Sequence, residues 1–105
     1  MELELANLKI SWANVKDLSS LSNMKNLEWL ALEQNKISDI SVLQDLPNLS
    51  YVRLWDNQIT NIKPLVSNPN IEQGDIVGLD DNPLDEISIN EYIPALEARG
   101  VAVTW

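Results

Sequence analysis

The side chains of this chain that could do chemistry are carboxylates and aromatic rings. It holds 16 Asp and Glu against 7 Lys and Arg, with four Trp, two Tyr and no Phe, Cys or His. Without His the commonest general base and metal ligand is missing. Without Cys there is neither a thiolate nucleophile nor a disulfide framework. No Gly-rich phosphate loop or nucleophile elbow occurs, so a nucleophile would have to be Lys or one of two paired carboxylates, and Glu33 with Asp80 is the pair to consider. Asp75, Asp80, Asp81, Asp85 and Glu86 invite comparison with a Ca²⁺ site, but they lack the one-three-five spacing and closing Glu of a dedicated loop. They read as solvated surface, and neither a metal nor a cofactor is expected. What remains is binding. Trp12, Trp29, Tyr51 and Trp55, with Glu33 and Arg53, are of the types that dominate binding hot spots or pair with them.

The elements that must position these residues follow from a repeat. Leu27, Leu30, Leu32, Asn35, Ile37, Ile40 and Leu43 are matched 22 residues later by Leu49, Val52, Leu54, Asn57, Ile59, Ile62 and Leu65. A fixed period of this length marks a solenoid, whose units bury their apolar sides only against each other. Shifted back by 22, the template catches Leu5, Leu8, Ile10, Val15, Leu18, Leu21 and Met24, with Ala13 where Asn35 and Asn57 stand. That Asn should turn the chain out of the strand by bonding turn amides, so the first repeat is expected to lack this bond unless Asn14 substitutes. A fourth repeat, anchored on Asn82, is displaced by 25 residues from Asn57, which places an insertion in the loop 70–75. The expected repeats are 5–26, 27–48, 49–70 and 71–84, with a cap over 85–105, all in one domain.

Each unit contains Lxx-LxL, apolar at alternate positions as a half-buried strand requires. The crossovers are short and broken by Ser, Asp and Pro, so they predict a parallel sheet joined by 3₁₀ turns or one-to-two-turn helices. In the tail, Ser88 and Glu91 fit a capping box. Ile89, Ile93 and Leu96 recur at helical spacing, Arg99 falls in the last turn and Gly100 ends it, while Pro94 is expected to bend the helix or shift its start. Val101 to Trp105 then reads as an edge strand. Met1 to Glu4 offers no comparable cover for the first repeat, so either a longer array or self-association through that flank is expected.

The pattern LxxLxLxxNxIxxIxxL at this period resembles the leucine-rich repeat family, closest to the bacterial 22-residue subgroup that includes the internalins and to the related eukaryotic phosphatase-regulator type. NKISDISVLQDLPNL and NQITNIKPLVSNPNI carry the likeness, which covers roughly Leu5 to Leu84. The tail is similar to the C-terminal cap of leucine-rich repeats in large bacterial proteins, and not to the immunoglobulin-like junction after internalin repeats. The resemblance implies a curved, right-handed α/β solenoid whose concave parallel sheet binds another protein, without catalysis. It also implies an extracellular or cell-surface bacterial setting within a longer chain, a cytoplasmic one being the alternative.

In such repeats the residues between the Leu and Ile positions face the concave side. Across four strands the columns read Asn7, Trp29, Tyr51, Ile76, then Lys9, Ala31, Arg53, Gly78, then Ser11, Glu33, Trp55, Asp80, with Trp12, Gln34, Asp56, Asp81 at the turn. Glu33 and Asp80 are then two strands, ~10 Å, apart and both solvated, which does not suit a catalytic pair. Glu33 and Arg53 are close enough for a weak ion pair. The predicted interaction surface is Trp12, Trp29, Glu33, Tyr51, Arg53 and Trp55. Four strands give a face of roughly 20 by 17 Å, well short of the ~800 Å² per partner of a standard interface. A formal charge of −9 disfavours nucleic acid and anionic membranes, favours a basic protein partner, and no apolar run reaches the ~18–20 residues of a membrane span. A structural spacer or capping unit and a carbohydrate-binding surface are the competing functions.

Overall fold

The computed structural model describes residues 6–105, so Leu5 and the expected uncapped opening at Met1 to Glu4 lie outside the described residues. Five short strands form one parallel sheet in chain order: β1 (Asn7–Lys9), β2 (Trp29–Ala31), β3 (Tyr51–Arg53), β4 (Ile76–Gly78) and β5 (Ala102–Thr104). The register keeps the repeat period. Asn7 faces Trp29 and Trp29 faces Tyr51, each 22 residues on, and Tyr51 faces Ile76 across the longer step of 25. Returning segments are short, as Ser- and Pro-broken sequence requires: 3₁₀ turns at Ser19–Asn23 and Ser41–Asp45, and a single helical turn, α1 (Lys63–Val66). Between sheet and turns lies one continuous core that includes Leu30, Leu32, Ile37, Ile40, Leu43, Leu54, Ile59, Ile62 and Leu65, each no more than 1% exposed. No described helix is long and apolar enough to cross a membrane.

A row of asparagines closes each unit onto the one before it. Asn57 Nδ2 donates to Leu32 C=O of the preceding unit (3.0 Å) and to Leu54 C=O of its own (2.9 Å), while its Oδ1 accepts the Ile37 N–H at 3.1 Å. Asn82 repeats the pattern, accepting the N–H groups of Asn57 and Ile59. The expectation that Ala13 deprives the first turn of its bond is therefore corrected. The asparagine serves the unit ahead of it, and Asn35 Oδ1 accepts the N–H groups of both Ala13 and Val15 at 3.1 Å. Trp12, Gln34, Asp56 and Asp81, each immediately before the row position, share a left-handed backbone with φ between 58° and 62°. None is Gly, so each turn carries some strain that the asparagine bonds must hold.

The cap differs in one detail from its sequence reading. Asp85, not Ser88, starts the helix, its Oδ1 accepting the Ser88 N–H at 2.8 Å. Ser88 is fully buried inside it. Its hydroxyl accepts the Ile62 N–H and donates to Thr60 C=O, both at 3.1 Å, so it is occupied in sealing the last crossover. The chain makes a π-helical turn at Ser88–Tyr92 before α2 (Ile93–Ala98), with the Ile93 N–H bonded back to Ser88 C=O. That one-residue bulge accommodates Pro94, which has no N–H to give an α-helical ladder. Arg99 reaches back to Asn68 C=O (3.2 Å), Ile71 C=O (3.3 Å) and Val66 C=O, covering carbonyls at and beyond the end of α1. Gly100 ends the helix at φ +89°, and a Cβ there would come within 2.9 Å of Gln73 Cγ. The loop inserted in the fourth unit thus packs on the cap, Gly74 N–H donating to Gly100 C=O at 3.1 Å.

Candidate functional site

The face of the sheet turned away from the core is set by strand alternation. Leu30, Val52 and Val77 point inward and are buried, so Trp29, Tyr51 and Ile76 point outward in step. At the β2–β3 pair the rings of Trp29 and Tyr51 stack, centroids 5.7 Å apart and planes at 26°. Both are half-buried, and Ile76, 40% exposed, continues their column. Further along, Gln34 N–H donates to Trp55 C=O (3.0 Å) and Asp56 N–H to Asp80 C=O (2.8 Å). The ladder therefore extends past the strands proper and keeps Glu33, Trp55 and Asp80 abreast. Trp12 is elsewhere: it stands on the turn after β1, 75% exposed and apart from the stack.

Glu33 departs from expectation. It is 4% exposed rather than solvated, because its column places it between Ser11 and the bulk of Trp55, with Arg53 one step back on the neighbouring strand. Its Oε1 lies 3.6 Å from Arg53 Nη2, a loose ion pair to a side chain one-third exposed. Its Oε2 is buried and has no hydrogen-bond partner among the described residues. The other acidic residues are dispersed. Asp75 Oδ2 accepts the Glu72 N–H and Asp85 caps the last helix, and no cluster of three or more metal-ligating side chains occurs among the described residues. A groove of about 460 Å³ on the opposite side of the molecule runs between Asp17 and Asp39. Each of these carboxylates accepts the N–H of the residue two on, Ser19 and Ser41 respectively. These backbone bonds first, and the serine hydroxyls second, hold both carboxyls below their ordinary value of 3.8.

Residues 25–67 match the family signature "Leucine Rich repeats (2 copies)". That segment is a pair of leucine-rich repeats, and the chain has the leucine-rich repeat fold. This leucine-rich repeat chain superposes on internalin C2 of Listeria monocytogenes with TM-score 0.74 and 29% identity over 91% of its length, which is 39% of that protein. A second Listeria internalin, inlF, gives TM-score 0.78 and 30% identity over 96% of this chain and 30% of its own. A leucine-rich repeat protein of Leptospira interrogans gives TM-score 0.79 and 25% identity over 96% of this chain and 25% of its own. The chain thus spans between a quarter and two-fifths of the length of these proteins. No curated protein matches it by sequence. The likeness is to bacterial internalin-like repeats, as the period implied.

One further feature was not read from the sequence. Asn68 occupies the position held by Leu46 one unit earlier, is completely buried, and donates to Leu43 and Leu46 C=O at 2.8 and 2.9 Å. The fifth strand adds Ala102 and Thr104 to the outer columns. It widens the face to roughly 24 by 17 Å at ~4.8 Å per strand, still about half of a standard partner's share.

Proposed function

We propose that this leucine-rich repeat protein is a non-catalytic protein-recognition module, binding through the outer, concave face of its sheet, with Trp29, Glu33, Tyr51, Arg53 and Trp55 at the centre and Trp12 at its margin. The observation that carries this reading is the Trp29–Tyr51 stack on a face that the core does not use. Rings prearranged against each other present large apolar area at little entropic cost, as binding hot spots do. The repeat family supports interaction rather than catalysis, since leucine-rich repeat proteins are in general interaction modules. The small face fits a segment of a longer array that the partner contacts elsewhere as well. Membership in a surface or secreted bacterial protein is the setting we propose, by analogy with the Listeria internalins.

The test is capture of a partner by the wild-type chain against the double variant Trp29→Ala/Trp55→Ala. Binding should fall at least tenfold while the far-ultraviolet circular dichroism is unchanged. A variant that unfolds instead would show the rings to be packing elements, as a spacer would use them.

A further inference from the structure

Among the described residues the buried polar side chains are held by named partners, with one exception. Asn35, Asn57, Asn68 and Ser88 each bond backbone groups. Glu33 Oε2 has no partner among the described residues, and Glu33 Oε1 meets Arg53 only at 3.6 Å, beyond hydrogen-bond range. A carboxylate withdrawn from water and short of donors is unfavourable until a cation pairs with it. Its surroundings suit that cation. The ladder bonds place Trp55 beside Glu33 on one flank and Asp80 on the other, so an aromatic face lies between two carboxylates at strand spacing, ~4.8 Å to either side.

We propose that Glu33, Trp55 and Asp80 form a seat for a single cationic side chain, lysine or arginine, presented by a protein partner. This deepens the recognition reading above and rests on it. The cation would lie over the Trp55 ring, where the ring quadrupole attracts it, with Glu33 and Asp80 supplying acceptors. Arg53, one-third exposed and not hydrogen-bonded to Glu33, is the side chain that moves aside to admit it. Asp56 and Asp81 on the adjoining turns and the chain's net charge of −9 bias the approach toward basic sequences.

The experiment is panning of a phage-displayed random heptapeptide library on the immobilised chain, followed by titration of the enriched peptides. Enriched peptides should share a Lys or Arg. Glu33→Gln, which keeps the side-chain shape, should weaken them at least tenfold, and Asp80→Asn, at an exposed position, about threefold. Replacing the peptide's cationic residue by Gln should cost as much as Glu33→Gln, and should cost nothing more once Glu33→Gln is present, the mark of a direct pair. Peptides that ignore Glu33→Gln and Asp80→Asn but are lost with Trp29→Ala overturn the cation seat and leave the recognition face standing. Peptides indifferent to all three variants, or a library yielding no binder, overturn both. Should Glu33→Gln alter the urea midpoint, the Asp80→Asn titration and the peptide substitution decide the matter.

Discussion

Asn57, at 6% exposure, and Glu33, at 4%, are polar side chains buried to the same depth on neighbouring units. They meet opposite fates. On the turn side every polar atom of Asn57 is matched: its amide donates to Leu32 and Leu54 C=O, and its carbonyl accepts from Ile37 N–H. On the open face Glu33 keeps one oxygen unmatched and the other only loosely paired. The turn side must satisfy a backbone that cannot reach water, so the same residue recurs at every unit from Asn35 to Asn82. The open face has no such demand, and its residues change from strand to strand. The groups that must be satisfied for the fold to hold thus lie on the turn side, while the open face is left free to vary.

The contrast can be broken from either side. The largest effect should come from Asn57→Ala, which strands the buried Ile37 N–H and leaves the Leu32 and Leu54 carbonyls with only the amides of Asn35 and Asn82. A loss of about 2 kcal/mol is expected from urea unfolding, at roughly 1–3 kcal/mol for one unsatisfied buried group. At the cap, Asp85→Ala should cost about 1 kcal/mol, as loss of a helix N-cap does, while Glu91→Ala should change stability by under about 0.5 kcal/mol. The reverse order would restore Ser88 and Glu91 as the capping pair. On the open face, Glu33→Gln should leave the unfolding free energy unchanged or raise it by up to about 1 kcal/mol, because it removes a poorly paired buried charge. A clear loss would mean that the carboxylate stabilises the fold after all.

The smallest effect is an acid one. The Asp17 and Asp39 carboxyls are depressed in the folded chain by the Ser19 and Ser41 N–H groups. Their contribution is therefore complete above the unfolded value near 3.8 and fades as the pH falls through the lower folded value. Asn61 makes the same turn to Lys63 N–H without a titrating group. Asp39→Asn should accordingly flatten the melting-temperature profile below pH 4 slightly and leave it unaltered at pH 7.

Much of this architecture could be read from residue spacing. The 22-residue match of leucines predicts which strands pair and in what register, and anchoring on Asn82 finds the displaced fourth strand, since Tyr51 faces Ile76. Alternation within Lxx-LxL likewise places Trp29 beside Tyr51. Spacing could not show what depends on a neighbouring unit's shape. Glu33 looks solvated as a lone position and becomes buried only once Ser11, Arg53 and Trp55 surround it. Ser88 fits a capping box by sequence, yet Thr60 and Ile62 claim its hydroxyl from 28 and 26 residues away. Asn68 hides in a leucine column because a buried amide there satisfies carbonyls from the preceding unit. The left-handed turn residues carry no glycine signal, since a Trp, a Gln and two Asp are held there by the asparagine that follows or by its successor.

The direction of the asparagine row gives the array a polarity under mechanical load. Each asparagine clamps the turn of the unit before it, so a unit pulled away from the C-terminal end would take with it the clamp of its predecessor. A unit peeled from the N-terminal end would leave the next turn closed, because Asn57 still holds Ile37 and Asn82 still holds Ile59. Drawn from its two ends, the same solenoid would unzip as a ratchet does: stepwise one way, and with each step loosening the next the other.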